Sequence, residues 1–351
     1  MSNSRNPLSL GRLAFVTLFD TFAVTLLAAD PVQPPNDAAS SMEMPESHDM
    51  SRKSMSGSGS MNHLMTGALG PYPMTREASG TSWQPDVSTH AGVQVMEGAW
   101  MLMGHALLNG VYDWQQGPRG DTDTFFSGML MGMANRHFAS ADTLQFRAML
   151  SPEPLMGKSG YPLLLATGET ANDTTSLVDR QHPHDLFMEL SATYSHALST
   201  AQSVFLYAGL PGEPAFGPPA FMHRQSILES PEAPISHHWL DSTHITYGVA
   251  TAGYVRDAWK AEASRFHGRE PDQFRYNIET GALDSTSARL SWNPTREWSL
   301  QASGPSSQPG GARPRQKSGA SLGERHLYPS ARRAHVVVND GGVGQASKYR
   351  Q

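Results

Sequence analysis

The chain has 351 residues, a formal charge of −6 from 26 basic and 32 acidic residues, 15 His, 18 Met and no Cys. The missing thiols exclude disulfides, thiolate zinc sites, iron–sulfur clusters and cysteine nucleophiles, so any soft metal ligand must be a thioether or an imidazole. Charges are scattered rather than gathered on a basic face, which speaks against nucleic acid as a partner. No run of about 20 apolar residues follows the N-terminus to form a spanning helix.

Residues 1–29 read as a secretory signal peptide: Arg5 and Arg12 supply the positive region, and an apolar stretch from Leu13 ends in the small pair Ala28-Ala29. Residues 30–70 read as a disordered leader, rich in Pro, Ser, Asn, Gly and Met and poor in residues to bury. The leader places Met42, Met44, His48, Met50, Met55, Met61, His63 and Met65 within 24 residues. Thioethers favour Cu(I) over Zn(II), and a plain linker would use Gly, Ser and Pro instead. The leader is therefore expected to capture a soft ion. Residues 72–86 look irregular, with prolines at Pro71, Pro73 and Pro85.

From about Val95 the chain changes to period-two segments separated by turn clusters. They cover residues 95–112, 124–137, 143–150, 185–194, 204–210, 245–255, 259–264 and 285–292, and another opens at Trp298. In the first two, Met101, Met103, His105, Met129, Met131 and Met133 share one face, and Leu102, Leu108, Phe126 and Leu130 the other. The methionine face is expected to point inward. Packing with an adaptable side chain explains it as well as an ion path does.

Three features favour a membrane barrel over a soluble sandwich. Segments approach the roughly 9–11 residues of a tilted spanning strand. Aromatics such as Trp100, Tyr112, Trp114, Tyr194, Tyr254, Trp259, Trp292 and Trp298 sit at segment ends. Short links (139–142, 256–258) alternate with long ones (152–183, 211–241). The predicted fold is all-β, an antiparallel up-and-down membrane β-barrel over residues 71–302, incomplete at about nine strands because such barrels use even numbers. Residues 303–351 lose the alternation and gain Arg, Ser, Pro and Gly. They read as a disordered tail or, preferably, as an out-of-frame version of further strands.

The long links carry the remaining chemistry. His182, His184 and Asp185 precede one segment, His223 sits in the next long link, and His237, His238, Asp241 and His244 lie within eight residues. Imidazoles beside carboxylates suit a divalent ion. Taken singly, each such histidine is an ordinary loop hydrogen-bonder. Both long links should emerge at one barrel end, which would let these groups meet. Ser236-His237 and Ser242-His244 are serine–histidine neighbours, but adjacency alone does not position a base, so no enzyme is expected.

Several blocks carry a family resemblance: residues 72–85 (YPMTREASGTSWQP), 156–162 (MGKSGYP), 179–185 (DRQHPHD), 212–224 (GEPAFGPPAFMHR), 234–248 (PISHHWLDSTHITYG), 268–272 and 276–280. The stretch from Thr66 to about Gln301 resembles a bacterial family of outer-membrane-barrel type, often encoded beside copper and heavy-metal resistance genes. The resemblance implies a metal-linked role and supplies no catalytic residues. The combined expectation is an exported barrel in the cell outer membrane, partnered by the lipid bilayer and metal ions. It would serve copper-like metal tolerance by binding or passing copper or another transition-metal ion, with no organic cofactor. A general small-solute porin and a barrel hydrolase are the alternatives.

Overall fold

The computed structural model describes residues 66–89, 92–170, 175–235, 237, 244–269, 271–307 and 335–340. The signal-like segment and the leader ligands Met42, Met44, His48, Met50, His63 and Met65 lie outside the described residues, as do His238 and Asp241.

The alternating segments form one antiparallel sheet of eleven strands. These are β1 (Val93–Glu97), β2 (Trp100–Trp114), β3 (Thr122–His137), β4 (Asp142–Leu150), β7 (Phe187–Ser199), β8 (Gln202–Gly209), β9 (Val249–Arg256), β10 (Trp259–Phe266), β11 (Ser285–Trp292), β12 (Trp298–Ser307) and β13 (His335–Asp340). A separate hairpin, β5 (Tyr161–Thr170) and β6 (Ser176–Gln181), rises from the link between β4 and β7. Each strand of the main sheet pairs with the next, and among the described residues the edges β1 and β13 are not paired to each other. In such an up-and-down order alternate links share an end. The short turns 98–99, 138–141, 200–201, 257–258 and 293–297 therefore lie at one end, and the long links 151–186 and 210–248 lie together at the other.

The outward face of the sheet is apolar, while its inward face mixes polar and apolar side chains. Its outward face exposes Leu108, Phe126, Leu130, Phe146, Leu206 and Leu290, with Phe126 66% exposed. Its inward face buries Ser127, Gln145, Arg147, Glu189, Lys260, Glu262 and Arg289, with Lys260 at 0%. Trp259 and Trp292 stack with centroids 4.9 Å apart at the short-turn end, close to Tyr254 and Trp298 in the sheet order. Met101, Met103, Met129 and Met133 are buried, and Met131 and His105 half-buried, while Leu108, Phe126 and Leu130 are exposed. The sequence-derived register thus holds.

Buried charges in a dry interior are tolerated only when paired and hydrogen-bonded. Residues 66–89 run inside the curled sheet and supply the partners; all but the two ends, Pro71, Pro73 and Val87 are buried. Residues 72–86 are irregular as expected, whereas 66–70, read as the end of a disordered leader, are instead held in place by strand side chains. Arg147 of β4 donates to the carbonyls of Ala78 and Gly80, at 3.2 and 3.3 Å. Lys260 of β10 donates to the Thr81 carbonyl, and Arg289 of β11 donates to Thr81 Oγ1 at 3.0 Å. Gly80 and Thr81 are thus held from strands five places apart, which in a flat sheet would stand roughly 24 Å from each other. The sheet must therefore curl around them. Ser195 and Ser203 donate to the carbonyls of Ala68 and Leu69, at 2.6 and 2.7 Å. Within the segment, Arg76 clamps Asp86 through two bonds of 2.6 and 2.8 Å, and its guanidinium lies over the Trp83 ring at 4.9 Å. Gly80 turns at φ 54°, and a Cβ there would come within 2.6 Å of the Glu213 Cβ. Only glycine fits that turn.

The second long link also folds inward. Ala215 N donates to Ser264 Oγ at 2.7 Å, Gly217 N to Ser303 Oγ at 3.0 Å, and Ala220 N to Ser79 Oγ at 2.7 Å. The Glu213 carboxyl accepts from Ser82 Oγ at 2.8 Å.

Three features differ from the sequence reading. The expected count of about nine strands misses β1, because the Gly98-Ala99 turn splits the first alternating run. It also misses the β5–β6 hairpin, whose Tyr-Pro-Leu-Leu-Leu run does not alternate and whose register shifts between Pro162 and Thr167. Finally, alternation was taken to end at Ala302, whereas β12 continues to Ser307 and pairs with β13 from the stretch read as irregular. The serine and proline side of β12 hid the strand.

Arg289→Met should cost about 3 kcal/mol in equilibrium urea unfolding, because it leaves buried Glu262 with Lys260 alone of its two cationic partners. A loss under about 1 kcal/mol would show that the interior ion pairs do not hold the sheet together. Burial pushes the Glu213 carboxyl from its ordinary 4.5 up to about 7, against the pull of Arg289. The folded chain therefore holds this proton more tightly than the unfolded chain. The resulting stabilisation is complete below pH 4.5 and lost as pH rises through about 7. The difference in unfolding free energy between the parent and Glu213→Gln should change by on the order of 3 kcal/mol between pH 4 and pH 8. A pH-independent difference would refute the assignment.

Candidate metal centre

Three short elements at the long-link end bring imidazoles together. After β4, Ser151 Oγ accepts the Glu153 N–H at 3.1 Å and starts a 3-10 turn, Glu153–Met156. The turn aims the Glu153 carboxylate at the chain entering β7. There Glu153 Oε2 accepts both the main-chain N–H and the Nδ1 of His184, each at 2.8 Å. Pro183 biases the preceding His182 toward extended backbone, and Asp185 is anchored beside His184 by Arg275 at 3.4 Å and by the Tyr247 hydroxyl at 3.0 Å.

From the second long link, a turn closed by His237 N to the Pro234 carbonyl at 2.8 Å presents His237. A paired bridge between Gly212 and Thr246 holds His244 two residues upstream of Thr246. The rings of His184, His237 and His244 stand with centroids 5.5, 5.2 and 4.8 Å apart, and all three side chains are buried. One ligand atom from each lies within 4.8 Å of the others, a cluster that could hold a metal ion. Nitrogens at that separation would sit about 2.8 Å from a central point, and movements under about 1 Å bring them to the 2.0–2.1 Å of a metal–imidazole bond. Phe221 packs edge-on against His237 at 5.2 Å and closes one side.

Glu153 determines how His184 can act. With Nδ1–H given to the carboxylate, the neutral ring turns its Nε2 lone pair away from Glu153, the arrangement of a carboxylate–histidine–metal relay. His184 Nε2 is buried with no hydrogen-bond partner, so a cation would satisfy it. Burial pulls the His184 imidazole down, but the Glu153 charge and hydrogen bond outweigh burial and leave it above its ordinary value. Burial likewise pushes Glu153 up, and His184 more than reverses this, holding the carboxylate below its ordinary range.

Of the histidine-loop residues singled out in the sequence, the structure gathers His184, His237 and His244. His182 turns its Nδ1 to the Pro183 carbonyl at 3.0 Å, Asp185 is engaged by Arg275 and Tyr247, and none of these is a member of the cluster. His223, on the turn Phe221–His223, borders a separate small cavity instead. Glu153 was missed: it is far from the histidines in sequence, and only the Ser-Pro-Glu turn signal marks it.

No family model, curated protein or solved structure matches this chain.

Proposed function

We propose that this chain is an outer-membrane β-barrel protein that holds a divalent transition-metal ion at His184, His237 and His244, and so serves metal tolerance by binding rather than by open passage. The observation that carries the reading is the buried set of three imidazoles, one of them backed by a buried carboxylate. Three neutral nitrogens with room for a further ligand suit Cu(II) and Zn(II), with Cu(II) the tighter of the two. The family resemblance to proteins encoded beside copper-resistance genes points the same way.

The membrane assignment is supported by the apolar outward face over charged inward residues, and by the aromatics gathered at the short-turn end. The porin reading is disfavoured because residues 66–89 and 211–222 are buried inside the curled sheet. The serines of the hydrolase reading, Ser236 and Ser242, lie outside the described residues.

The test uses the full chain refolded in detergent, with Cu(II) and Zn(II) affinities measured by competition against a chromogenic chelator. His244→Ala should abolish one binding equivalent. Glu153→Gln should retain that equivalent but weaken it by about 10–100-fold, because the relay that orients His184 is lost. Unchanged affinity and stoichiometry in His244→Ala would overturn the reading. Recovery of the folded chain in the inner-membrane or soluble fraction would overturn the location.

A further inference from the structure

A second cluster of ligating side chains lies away from the three imidazoles. In the β2–β3 pairing, Met103 stands directly opposite Met133, and His105 directly opposite Met131. Residues 103 and 105, and likewise 131 and 133, share one face of their strands. Opposed side chains in such a pair have Cβ atoms about 4.5–5.5 Å apart, so three thioethers and an imidazole occupy one patch of the inward face. Two inward segments cover it. Met74 comes from the turn Met74–Arg76 of the segment 66–89 and packs with Met103 and Met133. Met222 and His223 come from the turn Phe221–His223 of the second long link.

These side chains pack against one another in part and still leave space between them. They border a cavity of about 40 Å³. One water needs at least about 10–15 Å³, so the space holds a single small ion or a water or two. Methionine is the side chain best able to fill an irregular gap, and five of them surround a gap that persists. Two of the sulfurs are held on one side by amides: Gln145 Nε2 donates to Met133 Sδ at 2.9 Å and Gln94 Nε2 to Met103 Sδ at 3.6 Å. A thioether has two lone pairs, so each remains able to coordinate. Glu77 also borders the cavity, and the charge of its other neighbour, Arg147, is matched by Glu189 at 3.4 Å.

We infer that this cavity is a binding site for a soft monovalent d¹⁰ ion, Cu(I) or Ag(I), coordinated by Met103, Met131 and Met133 with Met74 and Met222 closing the shell. Thioethers select soft ions and bind Zn(II) poorly, so the site is chemically distinct from the three-imidazole centre and does not rest on it.

The experiment titrates the refolded full chain with Ag(I) in chloride-free buffer, with X-ray absorption reporting Ag–S bonds. Four variants are compared with the parent. Met103→Leu/Met133→Leu and the single Met131→Leu are volume-conserving exchanges that a packed interior tolerates. Met42→Leu/Met44→Leu/Met50→Leu removes leader thioethers, and His244→Ala removes an imidazole of the other centre. The expected result is loss of one sulfur-coordinated Ag(I) in the double variant, an affinity lowered about tenfold in Met131→Leu, and that ion unchanged in the leader and His244 variants. If the double variant binds as many Ag(I) ions through sulfur as the parent, the site is refuted. If the double variant does not fold, unchanged Ag(I) affinity in Met131→Leu refutes it. Loss of Cu(II) binding only in His244→Ala, with Ag(I) binding unaffected by any strand methionine, would leave the imidazole centre standing and remove this one.

Discussion

Arg289 projects from β11 into the interior with its guanidinium 2.8 Å from Glu262, its direct partner in the β10–β11 register. Lys260, two residues before Glu262 on the same face, reaches that carboxylate at 2.9 Å. None of these charges could remain in a dry interior without hydrogen-bond acceptors beyond one another, because an unsatisfied buried charge costs more than its ion pair returns. The acceptors come from main chain: the Thr81 carbonyl for Lys260 and the Gly217 carbonyl for Arg289, the latter at 3.3 Å. A sheet with polar side chains inside thus requires irregular backbone inside, and residues 66–89 and 211–222 meet that requirement. Their lack of regular structure is what leaves their carbonyls available.

The cluster of three imidazoles follows from the same constraint. Once the second long link is drawn inward through Ala215, Gly217 and Ala220, its later residues emerge beside the link between β4 and β7. His237 and His244 then meet His184 without any strand having to bend. The methionine cavity lies where the two inward segments converge over β2 and β3, so both ligand sets depend on one packing arrangement while differing in hardness. Nitrogen donors stand at the long-link end and sulfur donors against the wall.

Much of this was legible in the sequence. Alternation marked β2, β3, β4, β7, β9, β10, β11 and the opening of β12, because each of these strands separates two environments and period two is the imprint of that separation; β8 was marked by its apolar run. The inward direction of Met101, Met103 and Met133 followed from the same logic, and alternating link lengths placed the two long links at one end. What failed to alternate was hidden. The β5–β6 hairpin is held by its own contacts, including Asp179 to Arg119 of the β2–β3 link through two 2.6 Å bonds, rather than by a two-sided environment. Residues 72–86 could be read as irregular but not as internal, since burial of a polar, proline-rich segment depends on partners roughly 200 residues away, the separation that sets contact order. Among the histidines, composition nominated the loops whose imidazoles cluster but could not separate His184 from His182. That distinction rests on Glu153, and no spacing rule links the two.

The placement of residues 66–89 has a kinetic meaning. Synthesis completes this segment before any strand of the sheet, yet Thr81 and Gln84 find their partners Arg289 and Asn293 only 208 and 209 residues later. Closing so long a loop adds little free-energy cost, because loop entropy grows only logarithmically with length, but contacts of this separation form slowly. The carbonyls of Ala78 and Gly80 can meet Arg147 of β4 much earlier, whereas Thr81 has no counterpart until the charged faces of β10 and β11 arrive. The sheet therefore cannot be finished first and filled afterwards. Its wall and its contents have to condense together, the segment engaging β4 first and β11 last.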